Sequence, residues 1–137
     1  MAVPWSTVYG KYGVEESLEY SDEPVHALLR DTADEHGGMA LVQDGKETTY
    51  AEAWKKARGL AGALRERGVE RGDAVVSLLH TCVEFLVTSY AVSVAGATNI
   101  PVSPLENEDT LVENLSKPSP EAVVAHKKYA ELAETLE

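Results

Sequence analysis

Six consecutive residues, Ala74-Val75-Val76-Ser77-Leu78-Leu79, include a single polar side chain. A strand with one wet face alternates apolar and polar residues. A nearly unbroken apolar run belongs to a strand covered on both faces. Such a strand needs a layer on each side of it. The sequence supplies those layers as segments of helical period at residues 83–94, 106–115 and 127–136. Between them lie short strand-like runs at residues 98–102 and 122–125. Strand-then-helix alternation with apolar strands means parallel pairing through right-handed crossovers. The expected fold is α/β, with a mixed, mainly parallel sheet and flanking helices.

The upstream half fits that frame. Asp22 and Pro24 mark a helix start, with Asp22 as cap and Pro24 in the first turn. Val25, Leu28, Leu29, Thr32 and Ala33 form its apolar stripe, and Gly37-Gly38 stops it. Residues 39–43 and 46–50 read as a hairpin around the tight turn Asp44-Gly45. A helix follows with Tyr50, Ala53, Trp54, Ala57, Leu60, Ala61 and Leu64 on one face and Gly68 as its C-terminal cap. Gly59 and Gly62 inside it are expected at a close helix contact. Thr81 is the expected cap of the helix at 83–94. Leu111, Val112 and Leu115 are expected to face inward, as are Tyr129, Leu132, Ala133 and Leu136. Residues 1–23 read as an irregular leader whose aromatics, Trp5, Tyr9, Tyr12 and Tyr20, pack on something.

Length and charge exclude several classes. A chain of 137 residues buries one core and not two. With 12 basic against 23 acidic residues the net charge is −11. That leaves no basic footprint for nucleic acid and no polybasic patch for an anionic membrane. The one cysteine, Cys82, excludes an internal disulfide. The stretch from Ala74 to Leu105 is broken by His80, Glu84, Ser89, Ser93, Asn99 and two prolines, so no membrane span is expected. The first residues carry no secretory signal pattern. A cytoplasmic domain is the expectation.

The chemistry is mostly missing. A phosphate loop needs two glycines four residues apart, then Lys and Ser/Thr. Gly38 to Gly45-Lys46 has the wrong spacing and continues with Glu47. No Gly-x-Gly-x-x-Gly follows a strand. The histidines His26, His36, His80 and His126 have no helical i, i+4 metal pair among them, so no metal site is expected. His36 beside Asp31, Asp34 and Glu35 reads as a solvated helix end. Arg71-Gly72-Asp73 reads as a turn. Cys82, near a helix start and two residues from His80, lacks the third group that would orient a nucleophile and base. One rule does point to a place: ligands of open parallel sheets sit beyond the carboxyl ends of the strands. The ligand-facing candidates are therefore His80, Thr81, Cys82 and Ser103, with His126 at a third strand end. Ordinary strand-to-helix loops are the competing reading.

Four ordered motifs carry a family resemblance. They are Thr48-Thr49-Tyr50-Ala51-Glu52 with a helix ending in Gly68-Val69-x-x-Gly72-Asp73; Leu78-Leu79-His80-Thr81-Cys82-Val83-Glu84-Phe85; the segment from Ala95-Gly96-Ala97 to Pro101-Val102-Ser103-Pro104; and Glu121-Ala122-Val123-Val124-Ala125. Together they resemble the first stretches of the AMP-forming adenylating enzymes, which include acyl-CoA synthetases, luciferases and peptide-synthetase adenylation domains. His80, Thr81, Cys82 and Val83 stand where the family usually has Pro-Asn-Ser-Pro. The leader, with Trp5, Tyr9, Gly13-Val14 and Leu18, resembles that of medium- and long-chain acyl-CoA synthetases.

The resemblance implies a leader at 1–23 and, at 24–137, part of the N-terminal α/β subdomain of an acyl-CoA synthetase, truncated before the phosphate loop. The parent would be an ATP-dependent fatty-acid–CoA ligase using ATP, Mg²⁺ and CoA. None of the family's core catalytic residues maps onto this chain. It is expected to be inactive alone, to bind none of those cofactors, and to pair with the remainder of its parent. Removal from that parent would leave an apolar face able to self-associate. The alternative is a stand-alone, non-enzymatic α/β binding or assembly domain. A receiver-like domain ranks last, because His80 and Pro104, not acidic residues, stand at the strand ends.

Overall fold

The computed structural model describes residues 5–15, 19–115 and 118–136, without the side chains at 108, 114 and 136. Leader position Leu18 and the inward assignment of Leu136 lie outside that description. In chain order the elements are α1 (Ser6–Tyr12), α2 (His26–Glu35), β1 (Met39–Gln43), β2 (Lys46–Thr49), α3 (Tyr50–Glu66), β3 (Ala74–Leu78), α4 (Val83–Ala95), β4 (Thr98–Val102), α5 (Glu108–Leu115), β5 (Ala122–Ala125) and α6 (Ala130–Leu136). A 3₁₀ turn at Lys127–Tyr129 precedes α6.

β3 is the centre of a parallel sheet ordered β4-β3-β5. Val76 pairs with Ile100 on one side and Val123 on the other. The apolar run is covered on both faces, as its composition requires. Val75 packs with Leu64 of α3 and Val92 of α4. Its neighbour Val76 points the other way, into a cluster with Leu78, Leu111 and Leu115 that Tyr129 and Leu132 border. Helices α3 and α4 thus cover one face, and α5 and α6 the other. The α3–α4 seam is lined by small side chains, Ala53, Ala57 and Ala61 against Val87, Ala91 and Ala95.

The hairpin β1–β2 is antiparallel. Its turn residues Asp44 and Gly45 have φ of 51° and 75°, the pair of left-handed conformations that a two-residue hairpin loop demands. β2 runs straight into α3. The Thr49 hydroxyl accepts the Glu52 N–H at 3.2 Å, and the Thr49 N–H donates to Glu52 Oε2 at 2.9 Å. This reciprocal capping box holds the Glu52 carboxyl below the usual carboxylate range, first through the backbone bond from Thr49.

Six local expectations are corrected. The leader is helical at Ser6–Tyr12, yet no residue of that helix is buried. Trp5 and Tyr12 are 51% and 70% exposed, and Tyr9 is half-buried. Helix α2 starts at His26 with Val25 as N-cap and no side-chain cap, so Asp22 plays no such role. Its expected stripe holds at Leu29 and, half-buried, at Thr32 and Ala33, and fails at its first two positions. Ala27 and Leu29 are buried, while Val25 and Leu28 face solvent, because Leu29 is the side chain that reaches the α3–α4 seam. Gly59 and Gly62 sit at no close contact: a Cβ at either would meet nothing within 4 Å. Val112 is exposed, with Leu111 and Leu115, one helical turn apart, buried instead. Finally, Thr81 does not cap α4. The cap position is Cys82, with no side-chain bond. The Val83 N–H instead donates to Gln43 Oε1 at 2.7 Å, 40 residues earlier in the chain.

Candidate functional site

The site is built from the carboxyl ends of β3 and β5. Leu78 and Ala125, the last residues of these strands, are register partners. The His126 N–H reaches the Leu78 carbonyl at 3.4 Å. That pairing brings the His80–Cys82 loop and His126 to one edge of the sheet. His80 Nε2 lies 2.7 Å from the Tyr129 hydroxyl. The His126 ring stands 6.5 Å from the Tyr129 ring, nearly edge-on. His126 Nδ1 also accepts the Lys128 N–H at 3.2 Å, so its imidazole caps the 3₁₀ turn that carries Tyr129.

A cleft of about 800 Å³ opens here. Leu60, Val87 and Val124 supply apolar wall. Lys56, His80, His126, Lys127 and Glu84 supply polar and charged groups. Thr81 is exposed and Cys82 half-buried on its border. The structure thus brings together His80, Thr81, Cys82 and His126.

Ser103 does not join them. Its hydroxyl accepts the Leu105 N–H at 3.3 Å and its carbonyl the Glu106 N–H at 3.1 Å, forming a local turn after β4. β4 lies on the far side of β3 from β5, and the cleft opens on the β5 side. Order in the sheet, which strand ends alone do not reveal, separates the candidates. Gln43, Lys56 and Lys127 also line the cleft and carry no local signal in the sequence. Tyr129 had one, standing three residues after His126, but its apolar spacing reads as core.

A larger cleft, about 1030 Å³, lies at the other end of the sheet, where Arg65, Arg71, Ser93 and Asn99 line it. Two of its arginines have structural roles. The Arg65 guanidinium donates to the Val94 carbonyl in the last turn of α4, offsetting that helix end's partial negative charge. The Arg71 side chain packs where a Cβ on Gly96 would stand. Position at the strand carboxyl ends, rather than size, selects the smaller cleft.

Among the described residues no group of three or more His, Cys, Asp and Glu could hold a metal ion. No described helix is long and apolar enough to cross a membrane. His80 bonds Tyr129, and among the described residues no base is hydrogen-bonded to Cys82. No step through ATP or Mg²⁺ is assigned to these residues.

A central parallel β4-β3-β5 sheet between helix layers, led by a capped hairpin-to-helix junction, is the architecture of the N-terminal subdomain of adenylate-forming enzymes. The chain belongs to the AMP-binding enzyme family, whose description matches residues 29–137. It is 31% identical over 105 residues to nonribosomal peptide synthetase 7 of Aspergillus fumigatus, covering 75% of this chain and 4% of that protein. It is 26% identical over 98 residues to 4-coumarate–CoA ligase 3 of Arabidopsis thaliana, covering 72% of this chain and 18% of the ligase. The Klebsiella oxytoca NpsA N-terminal subdomain shares the fold, with a TM-score of 0.71 at 22% identity, over 77% of this chain and 28% of that one. The chain spans between 1% and 18% of the length of curated relatives of this kind. Both peptide synthetases and acid–CoA ligases are among them.

Proposed function

We propose that this chain is scaffold from an ATP-dependent fatty-acid–CoA ligase for medium- or long-chain acids. In the whole protein, the carboxylate would attack ATP to give acyl-AMP and pyrophosphate. CoA thiolate would then displace AMP to give acyl-CoA. ATP, Mg²⁺ and CoA would be held by segments that these 137 residues do not contain. On this reading residues 1–23 are a leader and residues 24–137 part of the N-terminal subdomain, short of the phosphate loop. The remainder of the parent is its main partner, the location is cytoplasmic, and isolated chains self-associate through the face that the remainder would cover.

The observation that carries the reading is the family match over residues 29–137. The leader pattern of Trp5, Tyr9 and Gly13-Val14 tilts it from amino acids towards fatty acids. The peptide-synthetase relatives favour a second reading, an amino-acid adenylation domain. A stand-alone binding domain is a third. The test is the reading frame beyond codon 137, expressed whole and assayed for acid-dependent ATP–pyrophosphate exchange. Exchange with fatty acids supports the ligase. Exchange with amino acids alone supports the peptide-synthetase reading, and a natural stop codon with no neighbouring remainder supports the binding domain. Within the site, His80, Thr81 and Cys82 are the proposed ligand-facing residues. Ser103 stands apart from them.

A further inference from the structure

We infer that Gln43 is the positioning residue of the strand-end cleft: it reaches from the hairpin to fix the start of α4 and, with it, the His80–Thr81–Cys82 loop. A helix start leaves backbone N–H groups unpaired, and a local Ser, Thr, Asp or Asn normally accepts one of them. At α4 no side chain at the cap position does so. The acceptor is Gln43 Oε1, 2.7 Å from the Val83 nitrogen. Gln43 ends β1, directly before the Asp44-Gly45 turn, so a rigid hairpin sets the position of its amide.

A second observation joins Gln43 to the site. The cleft of about 800 Å³ and a smaller cavity of about 320 Å³ beside the hairpin share four lining residues, Gln43, Lys56, Val83 and Glu84. The Gln43 side chain is part of the partition between the two spaces. Losing its bond to Val83 would free the loop and open one space towards the other. Hairpin and cleft are thereby coupled through one side-chain amide. The inference deepens the ligand-facing reading of the cleft. It is testable apart from that reading, because its readouts need no ligand.

The test compares Gln43→Met, which keeps length but removes the acceptor, with Gln43→Glu, which keeps an acceptor oxygen, and with Thr81→Ala. Amide exchange at Val83 is measured against Val92, which is buried in the middle of α4 and reports opening of the helix as a whole. Alkylation of Cys82, the single cysteine, reports the loop. Loss of one hydrogen bond predicts roughly five- to thirtyfold faster Val83 exchange relative to Val92 in Gln43→Met, with faster Cys82 alkylation. Gln43→Glu and Thr81→Ala should stay within about twofold of the parent chain. Unchanged Val83 exchange in Gln43→Met would overturn the inference. So would equal acceleration by Thr81→Ala, or failure of Gln43→Glu to preserve protection.

Discussion

The Nε2 of His80 and the hydroxyl of Tyr129 stand 2.7 Å apart, across 49 residues of sequence. The bond ties the loop after the central strand to the turn after the edge strand. Tyr129 also borders the core cluster of Leu78 and Leu111. One side chain therefore bonds a cleft-lining residue and also packs beneath the sheet.

Tyr129→Phe keeps the packing and removes the bond. The expected cost is about 0.5–1.5 kcal/mol, near the lower end because His80 is exposed. His80→Ala in a double-mutant cycle should show coupling with Tyr129→Phe in urea unfolding. Strict additivity would mean the bond contributes nothing in solution.

Helix α3 should respond in opposite ways on its two faces. Ala57 is fully buried in the seam with α4, and Ala57→Leu should destabilise by about 1–3 kcal/mol through overpacking. Gly59 and Gly62 have open space where a Cβ would stand. Gly59→Ala and Gly62→Ala should each stabilise by about 0.4–1 kcal/mol by restricting the unfolded chain. Thermal melts of the three variants check both signs.

Below the sheet, Leu111 is 2% exposed and Val112 39%. Leu111→Ala should cost about 2–5 kcal/mol, and Val112→Ala about 0.5 kcal/mol or less. Similar costs in denaturant titrations would put the helix in the other phase.

The capping box at the start of α3 predicts a pH dependence. The folded Glu52 carboxyl titrates below its unfolded value because Thr49 donates to it. Its contribution is therefore fully present above the ordinary carboxylate range and lost as pH falls through the folded value. Glu52→Gln should lower the melting temperature at neutral pH. The difference from the parent chain should shrink on acidification. A difference that grew at low pH would reverse the assignment.

The layer order was legible from a few residues. The run Ala74–Leu79 demanded two covered faces, and Asp44-Gly45 demanded a hairpin. The face of α3 was readable because its alanines repeat at helical spacing. Three things were not legible, each for a reason of distance or order. Gln43 caps a helix 40 residues away, and no local pattern encodes that. Ser103 and His80 both end strands, but the order β4-β3-β5 puts Ser103 across the sheet from the cleft. In α2, Val25 and Leu28 are apolar and exposed, so apolar composition added two solvent-facing residues to a stripe whose buried member, Leu29, reaches the seam.

The scaffold reading is tested most sharply by ATP–pyrophosphate exchange on the purified 137-residue chain, once dispersed amide signals confirm that it is folded. The prediction is no exchange above background with any carboxylic acid, because on the proposed reading ATP, Mg²⁺ and CoA are held by other segments of the parent. Acid-dependent exchange by this chain alone would contradict it.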